Sequence, residues 1–185
     1  MIKGRKMDLL NAMRASIPKL TFQDYLFFLL FYILLFGVLF KTTKGKHWNK
    51  KKRIYLFLLC SYLGFVYAST VIGRPVQSTM EYNLKVFWSY MDGISTRGNR
   101  MIAEICLNIL LLFPVGLLLP SIIRPKKRAA MITIFIGFGI TCSIELLQLF
   151  LKRGLFEFDD IIHNMLGVLI GVMVNSLIMK FHNKS

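Results

Sequence analysis

Long apolar blocks, at about 22–40, 54–72, 101–123, 129–151 and 159–179, alternate with short polar segments along the chain. Each is close to the ~20 residues that cross a ~30 Å hydrocarbon core as a helix. The pattern predicts an all-α integral membrane protein, a bundle of five transmembrane helices. Gln23 and Asp24 shorten the first block, and Thr21 and Asp24 have the spacing of a capping pair. No small-residue cleavage site follows it, so it reads as a retained span rather than a signal peptide.

Residues 1–20 differ in kind. Leu9, Leu10, Met13, Ile17 and Leu20 recur at helical spacing among Lys3, Arg5, Lys6, Arg14 and Lys19. This is the pattern of a basic amphipathic helix on the membrane surface, ended near Pro18; a disordered basic tail is the alternative. The segment 73–100 carries Tyr82, Phe87, Trp88 and Tyr90, which predict a fold back to the headgroup level. Three segments follow: 1–53 with the N-terminal helix, the first span and a basic loop; a four-helix core over 54–179; and a tail, 180–185.

Composition agrees with the pattern. Hydrophobic residues make up 55 % and charged residues 18 % of the 185, against ~45–50 % and ~25 % in soluble domains. The net charge of +15 sits in short runs beside the apolar blocks, which points to anionic headgroups and not to nucleic acid. Cys60, Cys106 and Cys142 lie within apolar blocks without CxxC spacing, so neither a disulfide framework nor a metal site is expected. Lys and Arg counts give 13 cytoplasmic against 11 outside for an N-out orientation. The runs KKKR (50–53) and RPKKR (124–128) weigh the same way.

Polar residues inside the blocks fall at helical intervals. Glu104 and Asn108 share one face of the third block. Gly137, Thr141, Glu145, Gln148 and Lys152 line the fourth, and Asp160, Asn164, Gly167, Gly171 and Asn175 the fifth. Alternating topology brings Arg74, Glu104, Asn108, Glu145, Gln148, Arg153, Asp159, Asp160 and Asn164 to one side of the membrane, whichever way the chain inserts. A charge at the bilayer centre costs at least ~2.5–3.5 kcal/mol, so such residues face an interior or a wet cavity. A polar pocket open to one face is one reading. The other is a structural network, with Glu104 and Glu145 paired to Arg74 and Arg153, Asn108 and Gln148 joining helices, and Asp159 and Asp160 complementing a helix N-terminus. Gly167 and Gly171 form a GxxxG that permits close helix contact, and Pro114 is placed to kink the third span. His163 reads as a helix-face residue.

The stretch NILLLFPVGLLLP (108–120) with Glu104 before it, then Glu145-Leu146-Leu147-Gln148, then RGLFEFDDIIHNMLGVLIG (153–171), resembles the VanZ-like family over residues 54–179. That family is named for a bacterial membrane protein that raises resistance to teicoplanin, a glycopeptide bearing a lipid tail. The resemblance implies a multi-pass protein of the bacterial cytoplasmic membrane. Its polar positions fall on Glu104, Asn108, Pro114, Gly116, Glu145, Gln148, Arg153, Asp160, Asn164 and Gly167; Glu157 stands where the family commonly has Asp. The name implies a phenotype and leaves cofactor and mechanism unassigned. Three classes therefore stay open. The first is a binder of membrane lipids, of a lipid-linked cell-wall precursor or of a lipoglycopeptide. The others are an intramembrane enzyme on a lipid or polyprenyl phosphate, and a helper subunit.

Overall fold

The computed structural model describes residues 49–123 and 126–182, together with 26, 30–34, 37, 38 and 41. The proposed N-terminal amphipathic helix lies outside these residues, as does most of the first apolar block, of which the described positions are helical. Among the described residues four helices are long and apolar enough to cross a membrane: Lys50–Ile72, Asn99–Ile122, Lys127–Phe150 and Phe158–Phe181.

Helix α1 (Lys50–Tyr67) starts where the Asn49 side chain accepts the Lys52 N–H at 3.0 Å, satisfying one of the donors a helix start leaves open. It continues as a wider π-helical turn, Ala68–Ile72, closed by Gly73 N–H on the Ala68 carbonyl. Pro75, five residues beyond Thr70, brings no N–H, so the Thr70 carbonyl is left for a partner from elsewhere. After strand β1 (Glu81–Asn83), a second π-turn, Ser89–Gly93, leads into the short helix α2 (Ile94–Arg97). Gly98, at φ 53° and ψ −131°, turns the chain into α3 (Asn99–Ile122), a conformation open to glycine at no steric cost. Helix α3 runs unbroken through Pro114 and Pro120. Then come α4 (Lys126–Phe150), strand β2 (Leu155–Glu157) and α5 (Phe158–His182).

The helices α3 and α5 make the most extensive contact in the bundle, and glycine is the reason. A Cβ on Gly167 would stand 1.9 Å from the Ile109 carbonyl oxygen, one on Gly171 2.3 Å from that of Phe113, and one on Gly116 2.1 Å from that of Val168. The GxxxG spacing thus lets two backbones touch. Around this crossing Leu59, Leu112, Val115, Leu119, Ile122, Val168 and Val172 form the core. Asn175 ties α5 to α3 through Nδ2 on the Leu117 carbonyl and Ser121 Oγ, both at 2.7 Å.

An all-α reading needs one correction. Strands β1 and β2 pair in parallel, Glu81 with Leu155, Tyr82 with Phe156 and Asn83 with Glu157. Both lie between spans. The two short segments satisfy one another.

Candidate functional site

The carboxyl-terminal ends of α1 and α4 and the amino-terminal ends of α3 and α5 meet on one side of the bundle. Hydrogen bonds join them pair by pair. Gln148 Nε2 donates to the Thr70 carbonyl at 3.0 Å, the acceptor that Pro75 leaves open. Arg153 Nη1 donates to the carbonyls of Ile72 and Arg74, the latter at 2.8 Å, capping the end of α1. Asn108 Nδ2 donates to Asp160 Oδ1 at 2.6 Å between α3 and α5. Asn164 Nδ2 and Thr141 Oγ1 lie 2.9 Å apart between α5 and α4.

Five of the chain's nine acidic residues gather here, and each has a different setting. Glu104, at the start of α3, forms ion pairs with Arg97 at 2.8 Å and Arg100 at 3.2 Å. Asp159 is buried; its Oδ1 accepts the Phe87 N–H at 2.6 Å and its Oδ2 the Ser89 N–H at 2.8 Å. Phe87 has φ 62°, so this carboxylate holds a strained turn of the 84–93 segment in place. Asp159 therefore serves the fold.

Glu145, 2 % exposed within α4, accepts the Glu157 N–H through Oε2 at 3.1 Å. Among the described residues it makes no ion pair, although Arg74 and Glu157 lie within its electrostatic reach. Asp160 interacts with Glu145, Glu157 and Arg74. Glu157 accepts the Trp88 indole N–H at 2.8 Å; burial pushes its carboxyl above the usual Glu range, against the lowering effect of that bond. The Arg74 guanidinium packs over Gly154, where a Cβ would meet Nη1 at 2.7 Å and Gln148 Oε1 at 3.4 Å. Gly154 has φ 152°, and its bare Cα lets these two polar groups share the space above it.

The ion pairs anticipated between Glu104 or Glu145 and Arg74 or Arg153 do not form among the described residues. Arg97 and Arg100 take Glu104 instead, because α2 and the first turn of α3 carry them to it at spacings of seven and four. Arg153 spends Nη1 on carbonyls. The cation within electrostatic reach of Glu145 and Asp160 is Arg74, which makes no ion pair among the described residues.

Four residues enter the site that sequence spacing had not marked as functional: Thr70, Trp88, Tyr90 and His163. The His163 Nε2 lies 2.9 Å from Tyr90 Oη, with the rings edge to face. Gln148 Oε1, Asn164 Oδ1 and His163 Nδ1 are buried without a hydrogen-bond partner among the described residues. The amide of Gln148 is oriented by chemistry: a carbonyl accepts and never donates, so its NH2 faces Thr70 and its oxygen faces away. Among the described residues no three of His, Cys, Asp and Glu converge in a way that could hold a metal ion.

The VanZ/LLP1 family model matches residues 25–179. The chain belongs to the VanZ-like family. The match begins at residue 25, so it takes in the first apolar block, which the motif resemblance did not reach. Among curated proteins and among solved structures, none matches this VanZ-like chain. Its four apolar helices and its family make it a multi-pass membrane protein.

Proposed function

We propose that this VanZ-like protein lowers susceptibility to lipidated glycopeptides such as teicoplanin by binding a lipid-linked cell-wall component, or the drug itself, in a polar pocket open to one face of the bundle. The observation that carries the reading is the set of buried polar atoms that have no hydrogen-bond partner among the described residues at one end of the bundle, Gln148 Oε1 and Asn164 Oδ1 above all. A network built only for stability pairs such groups, because each one left unmade costs about 1–3 kcal/mol. A pocket keeps them for a ligand. In the same reading the protein sits in the bacterial cytoplasmic membrane. It spans that membrane five times, with the N-terminal basic helix on the surface and the pocket facing outward.

Expression in a susceptible Gram-positive host tests the phenotype: tolerance should rise more for lipidated glycopeptides than for vancomycin. Glu145→Gln tests the site. The amide still accepts the Glu157 N–H and strands no ion-paired cation, so folded yield and thermal stability should hold while resistance is lost. Retained resistance, or equal protection against both drugs, refutes the proposal.

A further inference from the structure

The pocket has an unusual balance of hydrogen-bonding groups. Of its five carboxylates, Glu104 is ion-paired with Arg97 and Arg100, and Asp159 is hydrogen-bonded by two loop N–H groups. That leaves Glu145 and Asp160 facing the guanidinium of Arg74, with Glu157 beside them. In a chain of net charge +15, three carboxylates that make no ion pair among the described residues thus gather at this end of the bundle. An acidic cluster alone is no site; the orphaned amide is the second observation. Gln148 is 2 % exposed, and its Oε1, without a partner among the described residues, is an acceptor with its orientation fixed by Thr70. It points to the same space over Gly154 that the Arg74 guanidinium borders. Glu145 and Gln148 are three apart on one helix, so they present to the same side.

The unmet demand is thus for hydrogen-bond donors beside an anion. A carboxylate offers about four acceptor sites; Glu145 uses one on a described N–H and Asp160 one on Asn108. A plain cation would satisfy the carboxylates but would be repelled by Arg74. A plain anion would meet Arg74 but face three carboxylates. A zwitterion satisfies both.

We propose that the pocket binds a primary ammonium group carried next to an anion, the chemistry of an aminoalkyl phosphate, with Glu145, Asp160 and Gln148 Oε1 taking the ammonium and Arg74 the anion. This rests on the pocket reading above and names its ligand class. The source is a lipid headgroup or a soluble molecule of the same chemistry.

The test uses the full-length protein in mixed micelles holding equal amounts of phosphatidylethanolamine, phosphatidylcholine and phosphatidylglycerol with matched chains. Retained lipid is read by native mass spectrometry. Phosphatidylethanolamine should be kept over the other two by about tenfold or more, the factor expected from one charge-assisted hydrogen bond. The trimethylated headgroup has no N–H to give, and the glycerol headgroup has no cation. Glu145→Gln should erase the preference, with Asp160→Asn as the second variant should the first fold poorly. Displacement by soluble phosphoethanolamine assigns the binding to the headgroup chemistry alone; retention in its presence assigns it to the lipid. Equal retention of the three lipids, preference for phosphatidylglycerol, no retention, or an unchanged preference in both variants overturns the ammonium assignment. The pocket reading survives those results as long as Glu145→Gln loses resistance while staying folded, and it fails on the opposite result whatever the lipid pattern.

Discussion

Asp159 and Glu145 are buried carboxylates at the same end of the bundle, and their surroundings differ: Asp159 accepts two backbone N–H groups of one loop, Glu145 a single N–H of another. Asp159→Asn replaces an acceptor of two backbone N–H groups by an amide with one oxygen and one NH2. The oxygen keeps one bond, to Phe87 or to Ser89. The NH2 then points at the other N–H, donor against donor. One charge-assisted bond is lost, worth ~1.5–3 kcal/mol, and a buried N–H is left unmade, at ~1–3 kcal/mol. The combined loss is roughly 3 kcal/mol or more. Phe87 holds φ 62°, an unfavourable state for a bulky residue, so the lost bonds are ones that oppose local strain. The loss falls on the 84–98 segment and not on the α3–α5 crossing, whose contacts are untouched. Amide hydrogen exchange at Phe87 and Ser89 should therefore quicken by roughly a hundredfold, with cleavage after Lys85 and Arg97 appearing at protease levels that spare the wild type. Exchange within a few-fold of wild type at both amides would show that the carboxylate does not hold the turn, and the division of roles between Asp159 and Glu145 would collapse with it.

The remaining predictions follow from equally local features. Gly167→Ala places a methyl 1.9 Å from the Ile109 carbonyl oxygen, so α3 and α5 must part; thermal unfolding in detergent should show a loss of about 1–3 kcal/mol, and a neutral result would deny the close crossing. Glu157 has its pKa raised by burial, so the folded state holds its proton more tightly than the unfolded one. Its contribution to stability is present below the ordinary Glu pKa and is lost as pH rises through the folded value; a thermal-stability profile from about pH 4 to 8 should therefore fall less steeply in Glu157→Gln, and parallel profiles would count against it. Met91, 74 % exposed beyond the end of α1, should be labelled as Met91→Cys from outside intact cells in a background without the native cysteines, whereas labelling only after permeabilisation would reverse the orientation.

The apolar blocks, the glycine spacing and the polar stripes were legible in the sequence because each is a consequence of local periodicity. A helix repeats every 3.6 residues, so Glu145 and Gln148, or Asp160 and Asn164, share a face whatever surrounds them. Alternation of spans then assigns their ends to one side without any knowledge of packing. Which partner each polar group takes is not local. Arg97 reaches Glu104 because Gly98 turns the chain sharply between α2 and α3. Thr70 accepts Gln148 because a π-turn and Pro75 leave its carbonyl open at the right height. The parallel pairing of Glu81–Asn83 with Leu155–Glu157, more than 70 residues apart, has no periodic trace in three-residue strands. Asp159 and Asp160 are neighbours of the same residue type at the same helix start, yet one closes a loop and the other meets Asn108 of α3. Successive helical positions differ by about 100° around the axis, and the tertiary structure alone decides what stands on either side.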